Sequence, residues 1–180
     1  IIGTSGFTPS GYPKAIPLAL ADQIKRTGKK LSIDLLTGAS VGDELDGALT
    51  EVGAIRRRSP YQTNTTIRKQ VNTYDSIQFI DEHLSLAAQK VRYGFYGTLD
   101  YAIVEACAIT EEGHIIPTTS LGSAPSFVKA AKQVLVELNL SQTTGWEGIH
   151  DIYVPLDPPN RQPIPLVKTD QRIGTTYIEC

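Results

Sequence analysis

Ile1-Ile2-Gly3-Thr4-Ser5-Gly6-Phe7-Thr8-Pro9-Ser10-Gly11-Tyr12-Pro13-Lys14 opens the chain, and its order decides the fold. A short apolar run empties into a glycine-rich turn, and a helical pattern begins at Ala15. Ile16, Leu20 and Ile24 recur every four residues, one face of an amphipathic helix that runs to Arg26 and stops at Gly28. Strand, glycine-rich turn and helix form the unit from which α/β proteins are wound. In that unit the turn brings backbone N–H groups close to a ligand, and the helix N-terminus favours negative charge. The guest suited to such a place is a carboxylate, phosphate or thioester.

The rest of the chain repeats the alternation. Residues 31–36 predict a strand followed by the small-residue turn Thr37-Gly38-Ala39-Ser40, and residues 43–52 a helix with Leu45, Leu49 and Val52 on one face. A brief strand at 54–57 precedes a helix at 63–71 capped by Thr63 or Asn64. A short strand follows at 76–80 and a helix at 84–91. Residues 101–109 are the most continuously apolar run, a central strand buried on both faces. The turn Glu111-Glu112-Gly113-His114 leads into Ile115-Ile116. A helix at 124–131 and a second buried strand at 133–138 come next, then a proline-rich excursion and a last strand at 175–178. The pattern predicts an α/β fold, a largely parallel sheet flanked by helices. Ligands of such sheets sit outside the carboxyl ends of the strands. The candidate loops there are residues 6–14, 37–43 and 118–125.

Composition narrows the class. With 180 residues, 41% apolar and 20% charged, the chain is one ordinary globular domain, able to bury its core without disulfide or metal staples. A net charge of −2 speaks against a nucleic-acid binder, and no apolar stretch reaches the length of a membrane span. Cys107 lies in an apolar run and is expected to be a buried small hydrophobe; Cys180 is the last residue. A reducing compartment fits, the cytoplasm or a mitochondrial matrix. The chain starts on Ile1 rather than Met and closes on the strand-like Tyr177-Ile178-Glu179-Cys180, so we expect a piece of a longer protein.

The opening loop matches neither phosphate-cradle signature. It lacks Gly-Lys-Ser/Thr, and Gly3, Gly6 and Gly11 have the wrong interval for a dinucleotide fingerprint. Glycine- and proline-rich loops are more often plain turns than sites. What favours a site is Lys14, a cation at a helix start, where the macrodipole disfavours it unless an anion shares the space. The segment Thr118-Thr119-Ser120-Leu121-Gly122-Ser123-Ala124-Pro125 is a second hydroxyl-rich link; Ser123 either caps the next helix or helps donate N–H groups to an acyl oxygen. Arg56-Arg57-Arg58, close in sequence to Asp43, Glu44, Asp46 and Glu51, reads as a solvated or ion-paired edge. His83, His114 and His150 are scattered, so no metal site is expected. Glu82, beside His83, and Glu105 are the carboxylates to inspect. Glu105 sits in the apolar run without a cationic neighbour in sequence, so it must be hydrogen-bonded, neutral or turned toward a cleft.

Several of these motifs occur together in one known group. Residues 5–14, Leu36-Thr37-Gly38-Ala39-Ser40, Arg58-Ser59-Pro60-Tyr61-Gln62, Glu82-His83-Leu84, Glu105-Ala106 and Asp170-Gln171-Arg172-Ile173-Gly174, in that order, resemble the amino-terminal half of the acetyl-CoA hydrolase/transferase family. The resemblance covers nearly all of residues 1–180 and implies a class I CoA-transferase domain from a two-domain enzyme, homodimeric when complete. It implies acyl-CoA and a small carboxylate as substrates, with coenzyme A arriving as a thioester and no permanently bound cofactor. In that family a glutamate of the carboxyl-terminal domain holds CoA as a glutamyl thioester, so no catalytic residue is assigned here. The substrate-facing residues expected on this chain are Gly6, Phe7, Thr8, Gly11, Tyr12, Pro13, Lys14, Ser120, Gly122 and Ser123. The alternatives are a non-catalytic binding or regulatory module, or the non-nucleophile subunit of a two-chain transferase. A sugar-phosphate isomerase of related fold is weaker still, for want of a phosphate pocket.

Overall fold

The computed structural model describes residues 1–73 and 76–180. Its strands are β1 (Ile2–Thr8), β2 (Ile33–Ser40), β3 (Ile55–Ser59), β4 (Gln78–Phe79), β5 (Leu99–Ile109), β6 (Ile115–Pro117) and β7 (Ala131–Leu138). The helices are α1 (Ala15–Thr27), α2 (Ala48–Glu51), α3 (Thr65–Asn72), α4 (Leu84–Arg92) and α5 (Ala124–Ala130). The strands make one sheet in the order β4-β3-β2-β1-β5, every pair in that series parallel. Ala106 of β5 pairs both with Pro117 of antiparallel β6 and with Leu138 of parallel β7, so those two strands flank opposite edges of β5. β6 fills the edge that β1 leaves after Thr4.

Helices cover both faces, as two-sided apolar strands require. Adjacent Leu35 and Leu36 of β2 enter opposite cores. On one face Leu35, Ile33 and Ile55 pack with Ala21 and Ile24 of α1, Leu49 of α2 and Ile67 of α3. On the other, Leu36, Ala102 and Val104 pack with Val91 of α4, Phe127 of α5, Ile152 and Ile178. Asn64 caps α3, its Oδ1 accepting from the N–H groups of Thr66 at 3.0 Å and Ile67 at 3.3 Å.

Four expectations are corrected. Residues 37–40 are strand, not turn, because the β1 backbone pairs with them through Gly6–Gly38, Phe7–Ala39 and Thr8–Ser40. Residues 43–52 are not one regular helix: Asp43–Gly47 forms a π-helical turn before the short α2, and this turns Asp46 inward. β7 is an edge strand with Lys132, Gln133, Leu135 and Leu138 exposed, since only β5 pairs with it among the described residues. The segment 175–178 makes only isolated bridges among the described residues, Ile152–Thr175 and Ile115–Ile178. Cys107 is buried as expected. The arginine run divides: Arg56 and Arg57 both pair with Asp34, at 2.6 and 2.5 Å, whereas Arg58 is wholly buried.

Candidate functional site

β1 is irregular where it nears its neighbours. Its register with β2 slips between Gly3 and Gly6, a bulge that re-aims the strand end. Beyond it the chain folds into a tight hairpin: the Phe7 N–H donates to the Ser10 carbonyl at 2.9 Å, and the Ser10 N–H returns to Phe7 at 3.0 Å. Thr8 sits at φ 49°, a left-handed conformation disfavoured for a β-branched residue. Phe7 is 62% exposed at the tip.

The link from β6 to α5 crosses this hairpin. Ser120 Oγ donates to the Ser10 carbonyl at 2.7 Å, the Ser10 and Thr119 hydroxyls share a hydrogen bond of 2.5 Å, and the Ser123 N–H donates to Ser5 Oγ at 2.8 Å. Gly11 lies against this crossing at φ 65°, so close that a Cβ there would fall on the Ser120 carbonyl. Gly122 rests in the same way on Gly6. The two expected loops are therefore one interlocked structure, and Gly6, Gly11, Ser120, Gly122 and Ser123 meet in it. Tyr12 and Pro13 are buried beneath.

Lys14 answers the electrostatic question posed by its position: the anion beside it belongs to the protein. Its ammonium donates to Glu105 Oε2 at 2.8 Å and to the Tyr12 carbonyl at 2.7 Å, and it lies 4.2 Å from the Tyr12 ring centre. Thr118 donates to the other Glu105 oxygen at 2.6 Å. Glu137 caps α1, accepting from the N–H groups of Lys14 at 2.8 Å and Ile16 at 2.9 Å. Glu105 and Glu137 are directly opposed on β5 and β7. Like charges so placed repel; here one neutralises an ammonium and the other faces the positive end of a helix. Lys14 thus anchors the loop to the sheet.

Sequence reading singled out Glu105 without its partner, which is 91 residues away, and missed Glu137 altogether. The only signal available was Lys14 at a helix start with no acid in the first turn. Replacing Lys14 with Met strands a buried carboxylate with one remaining donor. We expect a loss of about 1–3 kcal/mol in chemical denaturation, largely recovered by adding Glu105→Gln. A neutral Lys14→Met variant would remove the anchor from the account.

Tyr12 also donates its hydroxyl to Glu44 in a short hydrogen bond. Burial, then Glu44, pushes the phenol upward, and the same hydroxyl holds the Glu44 carboxyl below its ordinary value. A depressed carboxyl contributes stability that is present above its unfolded value, near 4.3, and lost as pH falls through the folded one. The stability gap between the parent and Tyr12→Phe should accordingly shrink as urea titrations move from about pH 6 to about pH 3. A gap that widens in acid would contradict this. A groove of about 430 Å³ lined by Pro9, Tyr12, Lys14, Gly42, Glu44 and Asn64 runs beside these groups. Glu82 is also engaged, with Lys90 and with the Ser59 hydroxyl at 3.2 Å. Among the described residues no cluster of His, Cys, Asp and Glu is arranged to hold a metal, and no helix is long and apolar enough to cross a membrane.

A mostly parallel sheet flanked by helices is also the fold of a solved CoA-transferase. Glutaconate coenzyme A-transferase from Acidaminococcus fermentans superposes with a TM-score of 0.50 over 76% of this chain and 62% of that one, at 13% identity. The chain belongs to the acetyl-CoA hydrolase/transferase family, whose N-terminal domain model matches residues 1–179. It is 47% identical to the succinyl-CoA:acetate CoA-transferase of Clostridium kluyveri, over 100% of this chain and 33% of that protein. It is 38% identical to the propanoyl-CoA:succinate CoA transferase of Escherichia coli, over 99% and 37%. It is 41% identical to the acetyl-CoA hydrolase of Schizosaccharomyces pombe, over 99% and 35%. The chain spans about a third of the length of the curated relatives it matches.

Proposed function

We propose that in the full-length protein this domain forms one wall of a cleft in which coenzyme A moves from an acyl-CoA to a small carboxylate, or water cleaves the thioester and releases coenzyme A as the free thiol. The observation that carries the reading is the interlocked pair of loops, residues 5–14 and 118–123, at the carboxyl end of the sheet. The backbone there presents small side chains and the exposed Phe7 to a ligand, without bulky groups in the way. Gly6, Phe7, Thr8, Gly11, Ser120, Gly122 and Ser123 face or shape the cleft; Tyr12, Pro13 and Lys14 hold the loop in place.

The attacking group in this reading is a glutamate outside residues 1–180. Its carboxylate attacks the acyl-CoA and expels CoA thiolate, forming an acyl-glutamyl anhydride. The thiolate then attacks the glutamyl carbonyl, releasing the first carboxylate and leaving a glutamyl-CoA thioester, which divides one hard transfer into easier steps. Support comes from the carboxylates near the loops, each already committed: Glu105 to Lys14 and Thr118, Glu137 to α1, Glu44 to Tyr12, Glu82 to Lys90. A nucleophile needs a free, approachable oxygen. The domain alone should therefore transfer no CoA from succinyl-CoA to acetate, and measurable turnover by it would overturn the proposal.

A further inference from the structure

Among the described residues the sheet has an uncovered strip, which starts at the amino ends of β5 and β7 and runs up to the Lys14–Glu105 pair. Tyr101, Ile103 and Glu105 of β5 lie in register with Gln133, Leu135 and Glu137 of β7 on the face that carries α1. The reverse face of these strands, with Ala102, Val104, Val134 and Val136, is packed beneath α4 and α5. On the α1 side no helix covers them among the described residues. Tyr101 and Leu135 are left 40% and 39% exposed on a central and an adjoining strand. Above them runs a groove of about 940 Å³, with Tyr101, Ile103 and Leu135 as floor and Ile16, Ala19 and Leu20 of α1 as wall.

The groove has the width of one helix. Two strands about 4.8 Å apart make a strip about 10 Å wide, against a helix diameter of about 10–12 Å. Ala19 keeps the wall shallow where a neighbouring helix would pack closest. One end is closed by the Lys14–Glu105 pair and Glu137. The other is rimmed by Lys132 and Asp100, 2.8 Å apart. A sheet of this architecture is stable when both faces are covered, and an exposed apolar strip of this kind marks a contact.

We infer that an amphipathic helix of the same polypeptide, from outside residues 1–180, lies in this groove and completes the helix layer beside α1. The relatives are about three times as long as this chain, so ample polypeptide is at hand to supply it. A tethered segment meets the groove at an effective concentration of about millimolar, without the cost of bimolecular association. A second copy fits poorly. A two-fold interface sets the same patch against itself, and a concave groove facing its own copy leaves a void. The inference does not depend on the CoA chemistry.

The test uses the full-length protein carrying Leu135→Cys, with Leu138→Cys on the other face of β7 as the exposed control. Maleimide labelling is read peptide by peptide. The account predicts that position 135 labels at least about tenfold more slowly than position 138, unchanged on dilution. Equal rates overturn it; so does protection that disappears on dilution, which would make the occupant a second copy. A photoreactive residue in place of Gln133 provides an independent reading. It should cross-link within one chain to a peptide outside residues 1–180, and a cross-link between chains, or no protein adduct, contradicts the inference.

Discussion

Asp46→Ala is expected to cost the domain about 3–5 kcal/mol, a large part of the total stability of an ordinary domain. Asp46 and Arg58 are both fully buried, with Arg58 Nε 2.7 Å from Asp46 Oδ1. The guanidinium also donates to the carbonyls of Ser40 and Ser59, each at 2.9 Å. Those carbonyls end β2 and β3, so the ion pair ties the carboxyl ends of two strands to the π-helical turn that follows β2. Removing the carboxylate leaves a buried cation with only neutral acceptors, and the desolvation cost is no longer offset. The double variant Asp46→Leu/Arg58→Met should recover most of the loss, because an apolar pair of similar volume needs no compensation. Urea denaturation decides the matter: a loss below about 1 kcal/mol for Asp46→Ala would show that the pair is not the clamp described here.

Gly11→Ala is the second large effect. At φ 65° an alanine costs about 1–2 kcal/mol in the backbone. Its Cβ would also sit 2.5 Å from Ser120 Oγ and 2.8 Å from the Ser120 nitrogen, and such overpacking costs about 1–3 kcal/mol more. Gly28 separates the two contributions. It has nearly the same φ, 66°, but nothing within 4 Å of a Cβ. Gly28→Ala should therefore show the backbone cost alone, and Gly11→Ala the sum. In the full-length protein Gly11→Ala should also cut kcat/KM for the proposed CoA transfer by more than about tenfold, since the overlap can be relieved only by separating the two loops. Equal effects of the two substitutions on stability would mean that the loops do not interlock as described.

The layered fold was legible because hydrophobic period and turn residues agreed over long stretches: α1 from Ile16, Leu20 and Ile24, β5 from an apolar run broken only by Glu105. The errors fell where distant partners decide. Thr37 to Ser40 look like a turn until the β1 backbone is laid alongside, and residues 43–52 keep helical spacing although Arg58 pulls Asp46 inward through a wider turn. β7 reads as a buried strand because Val134, Leu135 and Val136 are apolar, yet its outer edge has no pairing strand among the described residues. At the site, the glycines and serines of both loops could be read, because each marks backbone passing close to something. The Lys14–Glu105 pair and the Glu137 cap could not. They join positions about a hundred residues apart, and Lys14 showed only that some anion must lie near it.

In the proposed function this domain walls a cleft whose nucleophile lies elsewhere in the polypeptide. The most direct measurement is borohydride trapping in the full-length protein incubated with an acyl-CoA, followed by peptide mapping. Reduction of a glutamyl thioester marks the glutamate that carried CoA. The account predicts a single acyl-CoA-dependent mark on a glutamate outside residues 1–180, and none on Glu44, Glu82, Glu105 or Glu137. A mark on any glutamate within these residues would contradict it.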